Sequence, residues 1–186
     1  EMVKATPGVE KATPQIYIET LYGAACCSAS GLQVVAIDPE TDFTITPWII
    51  PPLGKPLAKN EVVAGCLMMI PVGMEVQFYG YPYMMVGKIE KTGVGLDSMA
   101  FITMESAYEM AAESSWRALE KLEIPEGKIS AVLIQADRRE DVAERIRTQL
   151  PDVEVITSTD LIGVIQDRIG SLTLGLLITS GVMWGT

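Results

Sequence analysis

The sequence predicts an α+β protein: a split α/β lobe of ferredoxin-like type, interrupted by a small β-rich insert. Three observations predict it. Two strand-like segments open the chain. A proline-rich stretch and a run of short strands follow. After residue 104 the apolar period lengthens from two to about 3.6, and the order becomes helix–strand–helix–strand–helix. The chain has 186 residues, 48% hydrophobic and 20% charged, which suits one domain with a real core or two small lobes.

Each element follows from its residues. Residues 1–13 are polar, with a turn at Pro7-Gly8. In QIYIETLYG, Ile16 and Ile18 alternate with Tyr17 and Glu19, as in a strand. AACCSASG is a loop of small residues, and GLQVVAIDP a second strand stopped by Asp38-Pro39. Pro39, Pro47, Pro51, Pro52 and Pro56 exclude a long helix or a central strand from 39–60. NEVVAGC reads as a short buried strand. VGMEVQFYGYPYMMVGKIEKTG reads as a hairpin: Met74, Val76 and Phe78 alternate, Gly80-Tyr81-Pro82 turns, and Met84, Val86 and Ile89 return. MAFITM is a further strand.

ESAYEMAAESSWRALEKL has helical spacing, with Tyr108, Ala111, Ala112, Ser115, Leu119 and Leu122 on the inner side and glutamates opposite. KISAVLIQA is a buried strand. Asp137 caps the helix RREDVAERIRTQL, with Val142, Ile146 and Leu150 on one face, and Pro151 ends it. VEVIT is a strand, and a last helix starts at Ser158 or Thr159. That helix runs without a break signal into IGSLTLGLLITSGVMWGT, which is uncharged from Ile169 onward.

The apolar end sets an expectation about location. Leu172, Leu174, Leu176, Leu177, Ile178, Val182 and Met183 leave no polar face, so residues 169–186 read as the start of a membrane-spanning helix, cut short. A buried core helix is the alternative. The chain begins at Glu1 and shows no signal peptide, so a piece of a longer protein is expected.

Net charge is −10, which argues against nucleic acid and anionic head groups as partners. There is no histidine, so the commonest general base and the commonest zinc ligand are missing. The odd count of cysteines, Cys26, Cys27 and Cys66, leaves the redox compartment open. Cys26 and Cys27 are the metal candidates, as soft thiolate ligands for an ion such as Cu(I). They read first as small buried loop residues, and otherwise as disulfide partners of Cys66 or of each other.

Other polar groups read as scaffold. Asp38, Glu40 and Asp42 alternate like a cation loop, but the sixth and twelfth positions from Asp38 are Phe43 and Ile49, so the EF-hand pattern fails and turn chemistry remains. GKIEKTGVGLD lacks phosphate-loop spacing and reads as a bent strand and turn. Lys55, Lys59, Lys88 and Lys91 read as scattered surface charge. Glu105, Glu109, Glu113, Glu120 and Glu123 read as a solvated helix face, and the ten methionines as core filling. No catalytic residue and no cofactor is expected, and the chain is read as a non-enzyme.

PGVEKATPQIYI, LQVVAIDPETDF, NEVVAGC…PVGMEVQFYGYPYMMVGKIEKTG…LDSMAFITMESAY and AVLIQADRREDVAERIRTQLPDVEVIT together resemble the extracytoplasmic core domain of FtsX-like, MacB-type ABC transporter permeases. The resemblance implies a porter-like lobe from residues 1–44 and 105–168, with 45–104 as an inserted β-rich lobe. It implies placement at the cell membrane, on the extracytoplasmic face, between the first and second of four membrane helices. The implied partners are a cytoplasmic ATPase subunit, a second permease copy, and membrane lipid through the C-terminal helix. The implied role is mechanotransmission, in which ATP-driven closure moves the outer domains to export or release a substrate. The AACCSAS segment departs from the family pattern, so no substrate carries over. The alternative is a membrane-anchored ligand- or metal-binding or thiol-redox module without transport.

Overall fold

A computed structural model describes residues 2–20 and 32–158. The expected helix beyond Ser158, the apolar segment 169–186 and the Cys26-Cys27 loop lie outside the described residues. The chain divides into two compact units, one of residues up to Glu10 together with those from Gln135, the other Lys11–Ile134.

The strands are β1 (Val9–Glu19), β2 (Gln33–Ile37), β3 (Ile49–Ile50), β4 (Glu61–Ala64), β5 (Glu75–Phe78), β6 (Tyr81–Ile89), β7 (Ala100–Thr103) and β8 (Ala131–Ala136). The helices are α1 (Met104–Arg117) and α2 (Arg139–Gln149), with short 3-10 turns at Thr46–Trp48 and Gly95–Ser98. The strands form one mixed sheet in the order β3-β6-β4-β7-β2-β1-β8, with β5 pairing with β6. Two parallel pairs interrupt the antiparallel pattern: Val34 faces Ala100 between β2 and β7, and Glu61 faces Met84 between β4 and β6. Mixed sheet and two helices make the fold α+β, as the order of elements predicts.

In the larger unit the sheet is buried on both faces. Ile16, Ile18, Val34, Ala36 and Ile102 face one core, which includes Tyr83, Met85 and Met110 of α1. Val35, Ile37, Ile45, Ile49, Val63 and Phe101 face the other. This two-sided burial is why QVVAI and AFIT are continuous apolar runs and not alternating ones. Each such side chain, fully buried, contributes about 1.5–3 kcal/mol.

The hairpin corrects the expected phase. The turn is Tyr79-Gly80, both at positive φ (51° and 73°), as a two-residue hairpin turn requires. Pro82 lies inside β6, opposite Gln77. The inward residues of β6 are therefore Tyr81, Tyr83 and Met85, while Met84 is exposed, because a one-residue slip exchanges the two faces.

Helix α1 is shorter and rotated relative to the expectation. It ends at Arg117 and buries Ser106, Ala107, Met110, Ala111 and Ser114; Leu119 lies beyond it and is 82% exposed. Two buried serines disguise the inner face. Ser106 Oγ accepts the Asn60 N–H at 3.0 Å, and Ser114 Oγ donates to the Ala111 carbonyl at 2.7 Å and accepts the Leu122 N–H at 2.8 Å. Their polarity is satisfied internally, so burying them costs little. Thr103 caps the helix by accepting the Ser106 N–H at 3.1 Å.

Three further expectations are corrected. β8 ends the strand order and is half-buried along its length, not buried. Asp137 does not cap α2: the N-cap is Arg138, without a side-chain bond, and Glu140 and Asp141 supply the favourable first-turn charge. VEVIT forms no strand. The Val155 carbonyl instead accepts from the Arg147 guanidinium at 3.0 Å, and Val153 and Ile156 are exposed.

Candidate functional site

The metal candidates Cys26 and Cys27 fall outside the described residues. Cys66 is a half-buried free thiol just after β4, and it hydrogen-bonds the Asp97 carboxylate. Among the described residues no cluster of three cysteine, aspartate or glutamate side chains could hold a metal ion.

The aspartates of 38–42 organise turns, as the turn-chemistry reading expects. Asp38 accepts from the Glu40 N–H at 3.2 Å and the Thr41 hydroxyl at 2.7 Å. Asp42 accepts from the hydroxyl of Thr44 at 2.6 Å, the N–H groups of Ile45 and Thr46 at 3.0 and 2.7 Å, and the Thr46 hydroxyl at 2.8 Å. Burial pushes its carboxyl up, but the bonds from Thr44 and Thr46 outweigh this and hold it below the usual aspartate range. Asp97 plays the same part after β6. It accepts from the Thr92 N–H and hydroxyl at 2.8 and 2.7 Å and from the Gly93 N–H at 2.9 Å, and these bonds lower its pKa.

The most organised polar group is one the sequence concealed. Glu105, Glu109 and Glu113 recur every four residues on α1, so they repel one another unless cations are brought in. Lys59, just before β4, ion-pairs with Glu109 and lies 3.6 Å from Glu105. Arg117 pairs with Glu113 at 2.6 Å and stacks 4.3 Å from the Trp116 ring centroid. The Tyr81 hydroxyl lies 2.7 Å from Glu109 Oε2 and 2.7 Å from the side-chain amide of Asn60. The Lys59 bond comes first, and that of Tyr81 second, in holding the Glu109 carboxyl below its ordinary value. Burial first, then Glu109, push the Tyr81 phenol up. The like-charge spacing of the glutamates was the available signal for an external cation; nothing in the sequence named Lys59 as that cation.

Of the four lysines read as scattered, Lys55 pairs with Glu61 at 2.7 Å and Lys88 donates to the Met68 carbonyl at 2.7 Å. The methionines divide. Met68, Met85 and Met110 are buried, whereas Met69, Met74 and Met84 are exposed. The pairs Met68-Met69 and Met84-Met85 face opposite ways, as extended backbone demands. Residues 62–74 carry no charge, and their exposed members Leu67, Met69, Val72 and Met74 make an apolar loop pinned at its base by Gly65 N–H to Met99 O at 2.7 Å and Leu67 N–H to Asp97 O at 2.9 Å.

These groups fix loops and join α1 to the hairpin.

No family model matches the sequence, and no curated protein matches it. Among solved structures, the periplasmic region of MacB from Actinobacillus actinomycetemcomitans is similar with a TM-score of 0.54 at 11% identity, over 89% of this chain and 79% of that one. The extracellular domain of the noncanonic ABC-type transporter YknZ from Gram-positive bacteria gives a TM-score of 0.46 at 12% identity, over 80% of each chain. The first likeness shows that the fold is that of the MacB periplasmic region. The sequence resemblance had pointed to the same fold.

Proposed function

We propose that this chain is the extracytoplasmic domain of an ABC transporter permease. It couples ATP hydrolysis by a separate cytoplasmic subunit to export or release of a substrate by mechanotransmission. The single observation that carries the reading is the MacB-type fold across 89% of the chain. The apolar, uncharged segment 169–186 supports it as the start of a spanning helix that would transmit the motion. Among the described residues no helix is long and apolar enough to cross a membrane.

In this reading residues 45–104 are the inserted lobe and 1–44 with 105–168 the porter-like lobe. β3, β4, β5 and β6 occupy one end of the sheet and β1, β2 and β8 the other, joined through β4–β7 by the pairs Val63–Phe101 and Ala64–Ala100. A second permease copy completes the assembly, and the domain stands on the extracytoplasmic face of the cell membrane.

The test is reconstitution of the full protein with its ATPase in proteoliposomes. The domain should be accessible to protease from the side opposite the ATPase. Cross-linking it between the two copies should suppress ATP turnover. Protease access from the ATPase side, or turnover indifferent to the cross-link, would sink the reading.

A further inference from the structure

At the end of α1 the chain displays two large apolar side chains to solvent, Trp116 at 67% exposure and Leu119 at 82%. Their display is not fraying. The residues around them are anchored: Ala118, Leu122 and Ile124 pack on the core, and Ser114 Oγ holds the Leu122 N–H at 2.8 Å. The Ala118 N–H still reaches the Ser114 carbonyl at 3.0 Å. The Arg117 guanidinium lies 4.3 Å from the Trp116 ring centroid while pairing with Glu113. An exposed tryptophan beside a stacked arginine has the composition of an interface hot spot.

The surrounding charge says what kind of partner fits. From Glu113 to Glu126, the stretch that carries the apolar pair, there are four glutamates and two basic residues, Arg117 and Lys121. Arg117 is committed to Glu113, and Lys121 sits 3.0 Å from Glu123. The rim of the apolar pair is therefore net acidic. An acidic rim around an apolar centre repels an acidic partner and steers a basic one.

We propose that Trp116 and Leu119 form a docking surface for a polypeptide segment of a partner protein in which apolar side chains are flanked by lysine or arginine. The surface stands on its own geometry and does not depend on the transporter reading. The apolar side chains of the partner cover the indole and Leu119, and its cations face Glu120 and Glu123.

The full chain should be titrated with a short synthetic peptide alternating leucine and lysine, followed by Trp fluorescence and calorimetry. A saturable one-to-one complex is expected. The W116A/L119S variant should weaken it by about tenfold or more. E120K/E123K, which keeps the apolar pair, should weaken it by a similar factor and flatten its salt dependence. The exposed-loop control M69S should bind like the unaltered chain. Equal binding by all variants, or equal binding of a leucine–glutamate peptide, overturns the proposal. So does concentration-dependent dimerisation that W116A abolishes, because the face would then belong to a second copy of this chain.

Discussion

The Tyr81 hydroxyl lies 2.7 Å from Glu109 Oε2, joining the first residue of β6 to the middle of α1. A phenol has one proton, and the Asn60 amide lies at the same distance from the same oxygen. The Asn60 atom in contact is Oδ1, so the single phenol proton lies between two acceptors, Glu109 Oε2 and Asn60 Oδ1. Asn60, at φ 60°, is held for this by the bond from its N–H to Ser106. One hydroxyl thus ties strand, turn and helix together.

Tyr81→Phe should destabilise the domain by about 1–2 kcal/mol, since it leaves a half-buried carboxylate short of one donor. That lowers the thermal midpoint by roughly 2–8 °C in a chain of this size. Glu109→Gln in the same background should cost less than the sum of the two single changes. Strict additivity of the two, read by denaturant unfolding, would show that the bond does no coupling.

The Asp42 carboxyl has a depressed pKa in the fold. Its stabilisation is present above the ordinary aspartate range, about 3.9, and is lost as pH falls through the folded value. Asp42→Asn should therefore cost about 1–3 kcal/mol at pH 7. The difference from the unaltered chain should shrink toward zero at lower pH. Unfolding curves across that acid range check it; a constant gap would contradict the assignment.

A Cβ added at Gly65 would stand 2.1 Å from the Asp97 carbonyl oxygen, whereas one at Gly54 meets nothing within 4 Å. Gly65→Ala must push apart the strand end that Gly65 and Leu67 bond to Met99 and Asp97. It should cost about 3 kcal/mol or more. Gly54→Ala, strained only by its φ of +70°, should cost about 1–2 kcal/mol. Thermal unfolding of the pair ranks them.

Among the described residues, both core clusters are built from residues between Ile16 and Ile124. On the membrane-helix reading of 169–186, ending the chain at Gly170 should preserve the far-ultraviolet circular dichroism and the unfolding midpoint while reducing self-association. Loss of the fold would show that 171–186 is core and remove the support it lends to a membrane helix.

The isolated domain should show no ATP affinity tighter than millimolar. It has no phosphate loop and its net charge of −10 repels a polyanion. Calorimetry with Mg-ATP measures this directly.

Local rules made much of this fold legible. QVVAI and AFIT are strands because apolar and β-branched runs act over a few residues. Turn roles for Asp38 and Asp42 were legible for the same reason: their partners lie within four positions. What the sequence could not fix involves distant partners. The hairpin phase turned on whether two residues or three make the turn, and the answer, Tyr79-Gly80, put Tyr81 and Tyr83 inside. VEVIT has strand composition but forms no strand, and its Val155 carbonyl meets the Arg147 guanidinium, eight positions away. Glu109 looked like solvated charge until the fold brought Lys59, fifty positions away, to its carboxylate. Hydrophobic period and caps are properties of a short segment; register, charge neutralisation and the burial of Ser106 and Ser114 are properties of contacts that exist only after the sheet and α1 have packed.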